Sequence, residues 1–426
     1  MSLAASTARI TSAAAATARD EPAAVGSADR IGALDILRGI ALLGMFLVHF
    51  NDYAIGSDTA TGLGATYQKI VARFFEERFW TMFGILFGVG FAVQLRRAEA
   101  RGGAFAAIYV RRLVALGGFG LFAHAVFGFN VLLGYAVWGV PLLLVRRWSL
   151  RMLTIALVLS AASGSLFSIA RASYRVAAVG EVAYRAERVA VDAQNRTFID
   201  GNRAAQDSSH YPVVFRARLR HMVWFYAQPF SYLPVNTFTL FLIGVIGFRL
   251  GLFDAPGRHP GVILVLMTFG AASWVVDRWF LSSDRQLGSP LVRELLLAQL
   301  RQGFGIIRGM WLAFVYIGTV LLLVARSPAW LRTLAPFGWS GRMALTTYML
   351  QIAILDLTFS NYFLHLGPTP LQALGAGLAL FAITSALSRW WLARFRFGPL
   401  EWLWRSITYG RLQPWRVGPA AHGLPV

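Results

Sequence analysis

Ten apolar runs constrain this chain more than any other feature. They fall at roughly 33–52, 77–95, 109–127, 129–146, 152–170, 233–252, 260–281, 306–325, 341–361 and 370–393. A bilayer core takes about 20 mainly apolar residues per helix, and inside it every backbone polar group must be satisfied within the segment itself. The expected fold is therefore all-α: a polytopic integral membrane helical bundle of about ten transmembrane helices. Composition agrees, because 57% of the 426 residues are hydrophobic and only 14% are charged, where soluble domains carry roughly a quarter charged. Two soluble domains are excluded.

The charge that remains is strongly basic, 40 Lys and Arg against 20 Asp and Glu. In a soluble protein such a balance would suggest nucleic acid. Here the arginines sit between apolar runs, as the positive-inside rule requires, and nucleic acid is not an expected partner; the lipid bilayer is. Arginine clusters at "RRAEARGG", "RRWSLR", Arg249, Arg258, Arg326 and Arg332 occupy alternate turns. Those turns are expected on the cytoplasmic side of the membrane, together with both termini. Residues 1–29 read as a disordered cytoplasmic tail, 30–397 as the transmembrane helical domain, 398–416 as a C-terminal interfacial helix and 417–426 as a tail. The arginine-rich stretch 171–222 fits the alternation badly and is expected to be an extracytoplasmic loop. Within it, "RVAAVGEVAYRAERVAVDAQNRTF" repeats Val and Ala at helical spacing, the pattern of an amphipathic helix.

Two local patterns concern packing rather than chemistry. "FGILFGVGF" lacks the Lys-Ser/Thr ending of a phosphate loop, and its Gly84 and Gly88 have the spacing that lets membrane helices approach closely. In "FRFGPLEWLWRSITYGRLQPWR", Pro399 suits a first helical position, Leu400, Leu403, Trp404 and Ile407 fall on one face, Glu401 is spaced to meet Arg405, and Gly410 can end the helix. With no cysteine in the chain, disulfides, thiolate catalysis and Cys-bound metal are excluded.

Ionisable residues at membrane depth are costly and usually face a bundle interior or cavity, so function is sought there. In "LDILRGIALLGMFLVHF", Arg38 and His49 are eleven residues apart, nearly in phase on a helix and about 16 Å apart along its axis. Asp35 lies one turn before Arg38 on the same stripe. Snorkelling of Arg38 beside Asp35, with His49 merely ending the span, explains these residues as well as a working pair does. Asp52, His124, Asn130, Asp356, Asn361 and His365 gather on the His49 side. Their spacing supports separate hydrogen-bonded roles, and no metal site is expected. Asp277 beside Arg278 reads as a local ion pair.

Four motifs carry a family resemblance: "RIGALDILRGIALLGMFLVHF", "LFAHAVFGFNVLLGYAVWG", "FGWSGRMALTTYMLQ" and "FRFGPLEWLWRSITYGRLQP". In this order they resemble the YeiB-like bacterial membrane proteins, whose C-terminal region is a domain of unknown function, family 418. The resemblance spans residues 30–416. Its opening motif is also similar to that of the wider transmembrane acyltransferase superfamily, in which an arginine followed after ten residues by a histidine is the functional signature; Arg38 and His49 match it. YeiB-like members commonly carry Asn at the position of His49, so the chain departs from them toward the acyltransferases. It also has Asn130 where Asp is common and Thr347 where Asn is common.

The superfamily resemblance implies transfer of an acyl group from a cytosolic thioester, acyl-CoA, to an extracytoplasmic glycan or lipid. His49 and Arg38 would be the catalytic residues, with Asp35, Asp52, His124 and Asp356 as supporting candidates. Arg38 would meet phosphate, and His49 would act as base or briefly accept the acyl group. The same residues could instead serve a secondary transporter of a small solute, or be structural in a non-enzymatic accessory protein.

Overall fold

The computed structural model describes residues 32–54, 62–102, 105–129, 131–227, 232–276 and 311–417. The expected tails, Asn130, Asp277 and Arg278 lie outside the described residues, except Val417. The described chain is helical, joined by one isolated backbone bridge between Phe395 and Arg416.

Within the described residues, each of the ten apolar runs coincides with helix. In chain order these are α1 (Gly32–Asp52), α2 (Gly62–Ile70), α3 (Arg78–Ala100), α4 (Phe105–Phe127), α5 (Val131–Gly139), α6 (Leu142–Val145), α7 (Leu150–Val179), α8 (Glu181–Gln206), α9 (Tyr211–Ala227), α10 (Tyr232–Arg249) and α11 (Pro260–Val276). There follow α12 (Trp311–Arg326) and then α13 (Ala329–Thr333), α14 (Ala335–Arg342), α15 (Ala344–Phe359), α16 (Pro370–Leu392) and α17 (Pro399–Tyr409). Among the described residues, five helical stretches are long and apolar enough to cross a membrane: α1, α2 with α3, α4, α7 and α16. The other five apolar runs form shorter helices. The fourth is broken between α5 and α6 at Pro141, which cannot donate the backbone bond a continuous helix needs.

The centre of the bundle is α1. It packs on α3, α14, α15 and α16, while α10 lies against α3 and α7, and α4 against α5 and α17. Glycine makes the tightest of these contacts: a Cβ at Gly39 would lie 1.8 Å from the carbonyl oxygen of Phe337, and one at Gly341 1.8 Å from that of Asp35. The backbones of α1 and α14 therefore touch directly. Gly84 and Gly88 behave as read from their spacing, facing Leu240 and the backbone of Phe241 on α10.

The stretch 171–222, in which the residue spacing marks an amphipathic helix, is helical in all but a few residues. Helix α7 runs on past the apolar run to Val179, Gly180 turns the chain at φ +83°, and α8 and α9 follow. The amphipathic pattern is thus two helices split at the one residue that adopts this φ without strain. Helix α9 reaches back onto α4. The C-terminal helix is bounded as its residues suggest, with Pro399 in the first turn and Gly410 in the left-handed conformation at its end. Its apolar face is divided, however: Leu400 and Trp404 pack inward against the core, while Leu403 and Ile407 are exposed.

Candidate functional site

A cavity of about 310 Å³ lies inside the bundle, along α1 and α3. On α3 it is lined by Trp80, Phe83, Phe87, Gly90, Gln94 and Arg97, a stripe at three- and four-residue spacing that rises about 25 Å. The space is an elongated channel along α3. One end is polar: Arg38, Arg97, Arg112, Arg342 and Arg405 line it, with the carboxylates of Asp35 and Glu401. The other end is apolar and aromatic, walled by Met45, Trp80, Phe83, Leu132 and Tyr135. Five guanidinium groups against two carboxylates favour an anionic ligand, and guanidinium matches phosphate oxygens in pairs.

Each polar wall has a local cause. Arg38 donates to Asp35 at 2.8 Å, one turn away, as its spacing implies. The Arg112 guanidinium lies over the Trp404 ring, 4.0 Å from its centroid, and the Trp404 indole donates to the Arg112 carbonyl; this fixes α17 to α4. Glu401 does more than sit one turn from Arg405. Its carboxylate accepts from the backbone N–H groups of Leu345 and Thr346 at 2.7 and 3.0 Å and from the Thr346 hydroxyl at 2.5 Å. It thereby satisfies donors that the start of α15 leaves without helical partners, and burial pushes its carboxyl above the ordinary carboxylate range despite those bonds. The Arg405 guanidinium lies over the Phe397 ring.

His49 stands beyond the apolar end of the channel. Met45, one turn before it on α1, lines the cavity, as does Tyr348, one turn before Gln351 on α15. The Gln351 amide nitrogen is 3.3 Å from His49 Nδ1, and the imidazole packs against the Phe129 ring at 5.0 Å. Arg38 and His49 therefore lie on one wall, at the mouth and just past the far end of the channel.

The supporting candidates separate. Asp35 joins the mouth, and Asp52 ends α1 on its exposed side. Asp356 is almost wholly buried, and its carboxylate belongs to a network: Arg218 of α9 pairs with it, the Tyr362 hydroxyl donates to it, and the Ser360 hydroxyl donates at 2.8 Å. Arg218 also donates to the Val126 carbonyl of α4. This carboxylate fastens α9 to the ends of α4 and α15. His124 is buried beside His221 of α9, with ring centroids 5.8 Å apart, and neither of its ring nitrogens has a hydrogen-bond partner among the described residues. Asn361 donates to the Asp207 carbonyl, a second tie between α15 and the end of α8. Among the described residues, no three His, Asp or Glu side chains gather as metal ligands would.

Residue reading passed over Arg218, whose arginine-rich surroundings resemble a solvated loop. It also passed over Gln351, although "TTYMLQ" places it on the helix that carries Asp356. Arg97 and Arg112 were visible only as loop-side arginines; their convergence on one cavity depends on helix packing.

Apolar helices around an internal channel with a basic mouth define the class: a polytopic helical membrane protein. Residues 247–411 match the family described as "Protein of unknown function (DUF418)". The chain is 27% identical over 409 residues to "Uncharacterized protein YxaH" of Bacillus subtilis, covering 91% of this chain and 96% of the relative. It is 28% identical over 394 residues to "Uncharacterized 39.9 kDa protein in amylase 3'region" of Bacillus acidopullulyticus, again covering 91% and 96%. A shorter match to "Uncharacterized protein YeiB" of Escherichia coli is 40% identical over 68 residues, 16% of this chain and 18% of that protein. No solved structure matches the chain.

Proposed function

We propose that the protein is a transmembrane acyltransferase of the bacterial inner membrane, with both termini cytoplasmic. It takes an acyl group from cytosolic acyl-CoA and delivers it to a hydroxyl of an extracytoplasmic glycan or lipid. The observation that carries this reading is the channel, whose arginine mouth surrounds Arg38 and whose apolar end stops one helical turn short of His49. Phosphates of the donor suit the mouth, a slender uncharged arm suits the channel, and the thioester would then approach His49. In this reading Arg38, Arg97, Arg112, Arg342 and Arg405 bind, Asp35 orients Arg38, and His49 serves the transfer.

The test is ligand-induced stabilisation of purified protein in nanodiscs. Saturation at about a hundredfold above Kd adds roughly 2.7 kcal/mol to the native state. Acyl-CoA should raise the melting temperature, and Arg112→Ala or Arg342→Ala should lower the apparent affinity. Absence of stabilisation by acyl-CoA of any chain length, together with solute flux in proteoliposomes, would replace this reading by transport.

A further inference from the structure

The contact between Gln351 and His49 decides which nitrogen of the imidazole carries its proton. Gln351 is fully buried on α15. Its amide nitrogen sits 3.3 Å from His49 Nδ1, and its carbonyl oxygen is buried without a partner. An amide NH₂ group only donates, so Nδ1 in this contact is the acceptor and a neutral imidazole keeps its proton on Nε2. Reversing the amide would place two N–H donors, instead of one acceptor, in a buried spot where the oxygen already goes unpaired. Unsatisfied buried donors are the costlier and rarer case.

The geometry of the other nitrogen gives this consequence. His49 is only partly buried, and Nε2 has no hydrogen-bond partner among the described residues, nor is it among their enclosed unpaired polar atoms. It is the nitrogen that Gln351 leaves open, while the Phe129 ring covers part of the imidazole.

We propose that Gln351 is a positioning residue that holds His49 in the neutral tautomer protonated on Nε2, so that His49 meets its ligand as a hydrogen-bond donor. A carbonyl oxygen is the group such a donor recognises. Resting on the acyl-transfer reading, that oxygen is the thioester carbonyl, and Nε2–H lies where negative charge develops on it. Such preorganised donors supply a large share of catalysis in acyl transfer, and a neutral imidazole acting as donor is an established arrangement in other enzymes. The sequence allowed His49 a basic or nucleophilic part; the Gln351 contact selects a different resting form.

The experiment is ¹⁵N NMR of ligand-free, full-length protein labelled on its seven histidines in nanodiscs, with the His49 signal assigned by its loss in His49→Gln. The expected spectrum has His49 protonated on Nε2 and bare on Nδ1. In Gln351→Glu, whose carboxylate accepts and cannot donate, the proton moves to Nδ1; in Gln351→Leu both tautomers appear. A wild-type signal protonated on Nδ1 overturns the proposal, and so does an unchanged tautomer in Gln351→Glu or Gln351→Leu. A wild-type proton on Nδ1 defeats the proposal even if a variant fails to fold. Stabilisation by acyl-CoA is measured on the same samples: its absence with the expected tautomer defeats the acyl-transfer reading alone, and its presence with the opposite tautomer defeats this proposal alone.

Discussion

Removing Asp356 should loosen the attachment of α9 to the bundle. In Asp356→Ala the Arg218 guanidinium, itself nearly fully buried, loses both contacts to the carboxylate and keeps the Val126 carbonyl. The Tyr362 and Ser360 hydroxyls lose an acceptor at the same time. Stranding one partner of a buried ion pair costs about 3–5 kcal/mol. The surviving Val126 contact places the expected cost near the lower end, about 3 kcal/mol, which is roughly a hundredfold in an opening equilibrium. Hydrogen exchange in nanodiscs reads this directly, as faster exchange in peptides from α9 and the end of α15 with α1 and α3 unchanged. The double variant Arg218→Met with Asp356→Leu removes both charges and should recover most of the protection, since replacing the whole pair by apolar groups is often neutral or stabilising. Equal exchange in wild type and Asp356→Ala, or a double variant that loses as much as the two single changes added, would refute the assignment of this pair as the fastener of α9.

Other consequences follow from the packing and from the mouth of the channel. Gly39→Ala places a methyl carbon 1.8 Å from a backbone oxygen of α14, so it should abolish the monodisperse folded protein by size exclusion, whereas Gly118→Ala, with open space around it, should not. Glu401→Ala leaves two backbone N–H groups and a hydroxyl at the start of α15 unsatisfied, a loss of about 1–3 kcal/mol per fully stranded group, visible as a lower melting temperature. Because burial raises the Glu401 carboxyl above its ordinary value of 4.5, the folded state holds this proton more tightly than the unfolded state does. Its contribution to stability therefore falls as pH rises through the window above 4.5, and Glu401→Gln should flatten that part of the melting temperature against pH.

The parts of the fold legible in the residues are those fixed within one segment. Apolar length alone located the ten helical runs, and Gly398, Pro399 and Gly410 bounded α17 because caps and left-handed turns are local choices. Arg38 with Asp35 was legible for the same reason, being a single turn of helix. What escaped was non-local. Arg218 looked like a loop arginine because its partner, Asp356, is 138 residues away. The channel mouth collects arginines from α1, α3, α4, α14 and α17, and no spacing in the chain links them. The spacing of Glu401 to Arg405 was legible, whereas the N–H groups that a neighbouring helix offers its carboxylate were not. The helices within 171–222 were legible in part, through the helical spacing of Val and Ala in their amphipathic pattern.

Acyl transfer itself is tested most directly in inside-out membrane vesicles, where isotopically labelled acyl-CoA reaches the face expected to be cytoplasmic. Label should appear in glycan or lipid of the enclosed face with the wild-type chain, and should be lost in His49→Ala and Arg38→Ala while both remain folded in the membrane. Label that stays in the thioester with the wild-type chain for acetyl, medium and long acyl donors, or that transfers equally well in His49→Ala, would contradict the proposed activity.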